Sequence, residues 1–461
     1  MSLTPSTAFP LLWAQLRSDV PLIDGWNRWY DDEQPPLEVS DEDQLAYRRL
    51  IDLASENWAG MIVDAPADRL RITGMRFDGQ VDDGTSGVGP WAIWQASGMD
   101  SKSDLVVLDA LVSGRAPVMV TTDPSSPVGV RITPEDPRQT IVLYDPGRWV
   151  PGGRRAAALK TWVDAEGYGL AEVMTPGRIM QGRSKQPAPD AMGTSTWHHI
   201  GGWDFDSEQP GPADVPVVEV VANARTGRRG RSEMAPHHKA LQAINLLGFN
   251  LLFASEFAAY RQRWVTGLEL ELDEAGEPKK PFKSGLNRLF VGEEPETKFG
   301  EFSESDLSNY IKAIEYKVGA LAARSKTPAH YVATSINNIS ADAIRALESG
   351  LVAKVERHQR AFSDPFEDVM RLALSVRGDE GAAKDFTAEI LWADPRTHTD
   401  GQLADSLVKK KSIGYADEIL QSMDGASPQL IAENRAIKRR EALLSQVMAP
   451  AAPPPTADVG T

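Results

Sequence analysis

The side chains with chemical potential are few and poorly companioned. Two histidine pairs, His198-His199 and His237-His238, are the first metal-ligand candidates. Adjacent residues diverge on a helix or strand, so neither pair makes the shared face that an i, i+4 pair would offer a metal. No third histidine or carboxylate stands at ligand spacing, which reads as no metal site and no cofactor. The cluster Arg225, Arg228, Arg229 and Arg231 has two readings: a nucleic-acid or partner contact, or a solvated loop leading into a helix. The acidic balance elsewhere favours the solvated loop. No Gly-x-Ser-x-Gly elbow and no Gly-x-x-x-x-Gly-Lys-Ser/Thr phosphate loop occurs, so any ATP-driven work falls to a partner.

Composition bounds the rest. The chain has 461 residues, 41% of them hydrophobic, enough for a large core divided into modules. Its 12 Trp, 13 Phe and 9 Tyr exclude a solvated coil. It has no cysteine, which removes disulfides and thiolate chemistry. Formal charge is −16, so the chain as a whole lacks the basic face of a protein that grips DNA. It either avoids DNA or meets it without holding it. Met1 to Pro10 lacks the basic and apolar regions of a signal peptide. The most apolar run, 243–259, contains Asn245, Asn250 and Glu256 and is too short to span a membrane.

These residues are carried by a mixed set of elements. Leu11, Leu12, Leu16 and Val20 predict a first helix, and Asp41 to Ala65 a second, capped by Ser40. The aromatic run 25–31 between them reads as a turn. From 72 to 231 the pattern is strand-rich. A helix over 104–113 closes at Gly114, and strands follow at 117–121, 140–144, 156–163 and 170–175, the last two joined by a turn at Asp164-Ala165-Glu166-Gly167. Segments 181–194 and 206–216 read as Gly- and Pro-rich connections. A helix from 236 to 264 is apolar on more than one face and so expects several neighbours. A small β-containing insertion, 265–302, precedes a helix opening at Ser303, with Asp306 completing its cap.

After the loop Ser325-Lys326-Thr327-Pro328-Ala329-His330-Tyr331, Ser340 caps a helix that would reach Arg377, roughly 55 Å long. Pro365 predicts a kink or break in it. Residues 389–394 read as a strand, 399–447 as charged helices and 449–461 as a disordered tail.

Several runs resemble the portal proteins of tailed bacteriophages, especially the branch found in phages of actinobacteria. They are Gly230-Arg231-Ser232-Glu233, Phe253-Ala254-Ser255-Glu256-Phe257 and 262–269, then Thr327-Pro328-Ala329-His330-Tyr331 and Asn338-Ile339-Ser340-Ala341-Asp342-Ala343. Trp392-Ala393-Asp394-Pro395-Arg396-Thr397 adds to them, with looser matches at Trp29-Tyr30 and Val63 to Leu70. The chain departs from the family pattern at His237-His238-Lys239, where relatives place an acidic residue, and at Pro365.

The resemblance implies an α+β portal fold with an α/β wing (1–232), first stem helix (233–264), clip (265–303) and second stem helix (304–325). A tunnel loop (326–340), a long wing helix (341–390), a helical crown (391–447) and a tail (448–461) complete it. It implies a non-enzymatic, homo-oligomeric ring of about twelve subunits at the capsid vertex. Double-stranded DNA would pass through that ring during packaging and ejection. Expected partners are the terminase large subunit, major capsid and scaffolding proteins, and neck proteins, with no membrane. The protein would reside in the virion, and in host cytoplasm during assembly.

Lys326, His330, Asn337 and Asn338 would be DNA-facing candidates of the tunnel loop. For Lys326 and His330 the reading as ordinary solvated or capped side chains stands beside this one. Glu269, Glu271, Lys283, Arg288 and Glu293 would be docking candidates of the clip. The alternatives are a phage-encoded hydrolase using a carboxylate site and a simple DNA-binding module.

Overall fold

Thr4 opens the first helix by a reciprocal cap: its hydroxyl accepts the Thr7 N–H, and its own N–H donates to the Thr7 hydroxyl. Proline at the next position suits the first turn, and helix α1 (Pro5–Tyr30) follows. Ala8, Leu12, Leu16 and Val20 recur every four residues and are fully buried. Leu11, expected in that stripe, is instead 53% exposed. The helix continues through the run 25–30, correcting the expected turn. Trp29 is buried there, and Trp26 lies three residues before it on the same side. Tertiary packing of the two rings overrides the local turn signal of Gly25 and Asn27.

The computed structural model describes residues 3–34, 41–77, 80–81, 89–145, 153–187, 202–259, 263–266, 298–301, 306–332, 341–397 and 400–448. The chain divides into two units. The first comprises Met1–Gln34, Asn57–His238 and Ala322–Thr461; the second comprises Pro35–Glu56 and Lys239–Leu321. His198, His199, Ser303, Ser340 and the tail 449–461 lie outside the described residues.

The expected single helix over 41–65 is two, α2 (Asp41–Leu53) and α3 (Trp58–Ala67). Asn57 separates them because its side chain accepts the Gly60 N–H at 2.9 Å and starts a fresh helix. Strands β1 (Ile72–Phe77) and β2 (Gln80–Val81), then helices α4 (Pro90–Ala96) and α5 (Met99–Ser113), come next. Helix α5 stops at Gly114, whose φ of +90° suits glycine, and a Cβ there would lie 2.8 Å from the Arg231 backbone nitrogen.

Strands β3 (Arg115–Thr122), β4 (Val130–Pro134), β5 (Thr140–Tyr144), β6 (Arg155–Val163), β7 (Tyr168–Thr175) and β8 (Arg178–Pro187) follow. Then come β9 (Trp203–Phe205), β10 (Gln209–Pro210) and β11 (Val217–Val221). The β6–β7 turn is the expected one: Asp164 accepts the Gly167 N–H and pairs with Tyr168. Strand β8 corrects the connection expected from 181 onward, because Ile179 to Arg183 pair in register with β7 despite their polarity. Every described pairing is antiparallel, which makes the class α+β.

In the first unit, the sheet β10-β8-β7-β6-β5 is covered on both faces. Ile141, Leu143, Leu159 and Val173 meet α1, while Val142, Tyr144, Ala158 and Met174 meet Met119 and Val217 of the sheet β11-β3-β4. Alternation along a strand therefore feeds two cores, which is why all five residues of β5 are buried.

Helix α8 (Ala341–Arg377) packs on β3 and β11, and its Val355, Phe362, Phe366 and Met370 are fully buried. It runs unbroken through Pro365. Phe362 and Phe366 are fully buried on either side of the proline, and Phe366 meets Trp94 and Trp392 edge-on. Ala361, whose carbonyl loses its donor to the proline ring, borders an open cavity where water can substitute. Strand β14 (Glu389–Trp392) returns to pair with β1, and helices α9 (Asp400–Ser412), α10 (Asp417–Met423) and α11 (Pro428–Met448) end the described chain.

The second unit holds α2, helix α6 (His238–Ala259) from Lys239 onward, strands β12 (Arg263–Thr266) and β13 (Lys298–Glu301), and α7 (Ser308–Ser325) as far as Leu321. Its small core joins Ile51 and Ala54 to Phe249, with Tyr47 edge-on to Phe253 at 4.9 Å. Helix α6 stops before the expected 264, since Arg263 and Trp264 pair as strand with β13. Helix α7 begins at Ser308, whose N–H the Asp306 carboxylate accepts at 2.9 Å, so Asp306 caps the helix from outside it.

One buried ion pair ties the layers of the first unit. Arg115 donates to Glu219 at 2.9 Å and to the carbonyls of Thr140 and Pro137, and stands 3.5 Å from Asp19 of α1. Removing one partner strands a charge away from water. Arg115→Met is expected to cost about 3–5 kcal/mol in chemical unfolding, and Arg115→Met with Glu219→Leu to recover most of it. A single variant within about 1 kcal/mol of the parent would show the pair to be dispensable.

Candidate functional site

The segment between α7 and α8 is the site to which the sequence directed attention. The chain leaves α7 by a left-handed residue: Lys326 has φ +60°, and the Thr327 N–H reaches back to the Ala322 carbonyl at 2.9 Å. That 6→1 bond is the Schellman closure, normally made with glycine, and a lysine there costs of the order of 1 kcal/mol. Ser325 and Thr327 are buried with hydroxyls 2.8 Å apart, while Lys326 between them is exposed. Pro328 then starts a short 3-10 turn over Ala329–Tyr331.

Two polar clusters on α8 fix this loop. At its start, Lys354 is 2% exposed and donates to the Ser325 carbonyl at 3.1 Å and to Glu233 at 2.8 Å. The same carboxylate accepts from Asn223 at 2.7 Å and has His358 Nε2 at 3.3 Å. Burial alone would raise the Glu233 carboxyl, but His358 and the Lys354 charge outweigh it and hold the group well below the usual carboxylate range. Burial pushes the Lys354 ammonium down, opposed by Glu233.

At the end of the loop's described part, Arg69 donates to the Tyr331 hydroxyl at 3.0 Å, to Glu348 at 2.9 Å and to the Pro395 carbonyl at 3.1 Å. Thr397 donates to the other Glu348 oxygen at 2.8 Å, and His330 Nε2 stands 3.7 Å from Glu348. Against its burial, Arg69 and Thr397 keep the Glu348 carboxyl below its ordinary value.

The described part of the loop, 326–332, is therefore held at both ends, with Lys326 turned to solvent. His330 is half-buried, its ring edge-on to Tyr331 at 4.8 Å, and belongs to the anchor. Asn337 and Asn338, and all five clip candidates (Glu269, Glu271, Lys283, Arg288 and Glu293), lie outside the described residues. His237 and His238 diverge as adjacent residues must. His238 sits edge-on between Trp26 and Trp29, at 5.5 and 5.3 Å, while His237 is buried with Nδ1 lacking a hydrogen-bond partner. Among the described residues no cluster could hold a metal. Arg229 corrects the solvated-loop expectation: it pairs with Asp19 and is partly buried, whereas Arg225, Arg228 and Arg231 are exposed.

None of the anchoring residues Arg69, Glu233, Glu348 and Lys354 stood out as a site in sequence, because single charges on helices and loops look like solvated ones. A signal existed nonetheless. Glu233, Arg69, Tyr331, Pro395 and Thr397 all fall within the runs that carry the family resemblance. Segments up to 326 positions apart converge on α8, and what they share is this anchor.

Residues 11–421 match the family described as Phage portal protein, SPP1 Gp6-like. This chain belongs to the phage portal protein family. It is 29% identical to the "Portal protein" of Mycobacterium phage D29 over 378 residues, covering 77% of this chain and 72% of that one. It is 28% identical to the "Portal protein" of Mycobacterium phage L5 over 401 residues, 83% of this chain and 77% of that one.

Two measurements test the anchor of this portal-family chain. Lys354→Met leaves Glu233 buried without its cation and is expected to lower stability by about 3–5 kcal/mol, with partial recovery in Lys354→Met/Glu233→Gln. Unchanged denaturation midpoints would refute the anchor.

The His237 imidazole is pulled from 6.5 to about 4, by burial first and then by Lys354. The folded chain thus resists a proton that the unfolded chain accepts, and stability falls as pH drops from about 6.5 to about 4. The Glu233 carboxylate adds a second loss, beginning only below about pH 4.3. His237→Phe should flatten the slope of unfolding free energy between about pH 6.5 and 5; an unaltered slope would show that His237 does not set it.

Proposed function

We propose that this chain is the subunit of a homo-oligomeric portal ring at the capsid vertex, a conduit for double-stranded DNA. The family match over residues 11–421 is the observation that carries this reading. The role is structural rather than catalytic. The subunit would serve as the starting point of head assembly and as the docking site for the terminase large subunit and later the neck proteins. Its place is the virion, reached through the host cytoplasm. Capsid and scaffolding proteins would surround it.

In this reading residues 1–232 form the wing, α6 and α7 the stem, 265–303 the clip, 326–340 the tunnel loop, α8 the long wing helix and 391–447 the crown. A formal charge of −16 per subunit supports the conduit. A ring of about twelve such chains repels a duplex rather than binding it, so the duplex slides with few firm phosphate contacts. Lys326 is the described tunnel-loop residue placed to meet a phosphate, because its neighbours Ser325 and Thr327 are buried and it is not. Asn337 and Asn338 are the further DNA-facing candidates. Glu269, Glu271, Lys283, Arg288 and Glu293 are the proposed clip contacts.

Negative-stain images of the purified protein, with capsid components added, are expected to contain rings with a central pore. Compact solitary particles alone at high concentration would overturn the proposal. A second experiment separates the loop's shape from its charge. Lys326→Gly relieves the left-handed strain and should stabilise the fold by about 0.5–1 kcal/mol, while lowering DNA packaging in an assembled particle. Full packaging by this variant would remove Lys326 from the DNA path.

A further inference from the structure

A cavity of about 760 Å³ lies in the first unit between α8 and the β11 edge. Its floor includes Tyr144 and Glu219, both buried, and its rim carries Arg225, Arg231 and Arg357, all exposed. The three rim guanidiniums form no ion pair among the described residues; the nearest polar contact is from Arg357 to Asn223 Oδ1, at 3.5 Å. Asp364 on the same rim is the one acidic group they share it with that is likewise unpaired among the described residues, since Asp368 pairs with Arg371. Three unpaired cations to one anion is a local excess of the sign that the whole chain, at −16, lacks.

The floor offers no ligand of its own, because Glu219 is 1% exposed and already held by Arg115 and the Val142 N–H. An occupant must therefore bring carboxylates or other anionic groups for the rim. A cavity of about 760 Å³ with three guanidiniums around it suits several carboxylates carried on one polypeptide segment better than a single phosphate. Subunits of like charge repel, so a ring of them needs local complementarity to close.

We infer that this cavity receives an acidic peptide segment from a second copy of this chain, with the rim arginines pairing its carboxylates. The inference rests on the ring reading above and gives that ring one of its subunit contacts.

The test compares the full-length parent with the triple variants Arg225→Gln/Arg231→Gln/Arg357→Gln and Arg225→Glu/Arg231→Glu/Arg357→Glu. Ring and monomer populations are counted by mass photometry across protein concentration and sodium chloride. The substituted side chains are exposed, so the monomers should keep the parent's melting temperature, and any variant that does not is replaced by its single-arginine members. The neutral variant is expected to need at least about tenfold more protein to form rings at 0.1 M salt, and the acidic variant more still. A photo-crosslinker at the exposed, cavity-lining Ala224 should capture an Asp- or Glu-rich peptide of a neighbouring copy.

Equal assembly midpoints and salt dependence in parent and variants would overturn the inference while leaving the ring intact. So would capture of a basic or wholly apolar peptide. Arginine-dependent binding of inorganic phosphate, or of a DNA duplex, with assembly unchanged would reassign the cavity to that ligand. A parent that never forms rings would remove the ring reading, and this inference with it.

Discussion

The buried pair of Glu233 and Lys354 is the constraint on which the described loop depends. Burying an ammonium and a carboxylate is expensive, and the cost is offset only when both are fully hydrogen-bonded. Here Lys354 spends a bond on the Ser325 carbonyl at the end of α7, and Glu233 accepts from Asn223 beyond β11. Shifting α8 along its axis would strand these charges, so the last turn of α7, the approach to α6 and the middle of α8 hold one register. Apolar packing alone would tolerate sliding better, because a leucine can exchange neighbours and a buried charge cannot.

The Arg69–Glu348 cluster repeats this arrangement at the end of the loop's described part, six residues earlier along α8. Between the two anchors the chain turns through Lys326, a residue type that resists φ +60°. The strain is small beside the anchoring energy, so the surrounding structure dictates the conformation. The outcome is a fixed loop root with one cation held outward.

Charge is distributed accordingly. The chain as a whole is acidic, while arginines are placed individually: Arg115 and Arg229 between α1 and the sheets, Arg69 at the loop, and three along one cavity rim. Net charge describes long-range repulsion, and individual placement describes adhesion. The two belong to different length scales and coexist in one chain.

Much of the fold was legible from periodicity. The i, i+4 stripe of α1, the turn at Asp164 to Gly167 and the two ends of α8 follow from local spacing and turn chemistry, which act over a few residues. Where local signals and packing disagreed, packing prevailed: the aromatic run 25–30 stayed helical over buried Trp29, polar β8 joined its sheet through backbone pairing, and Pro365 was carried between Phe362 and Phe366. The family could be read from runs of sequence, several of which supply residues that meet at the anchor.

The meeting itself could not be read. That Glu233 finds Lys354, that Arg69 reaches Tyr331 and Glu348, and that three arginines rim one cavity required the tertiary structure. A charged residue bears the same letter whether solvated or buried, and only the partners brought to it from distant segments decide which it is.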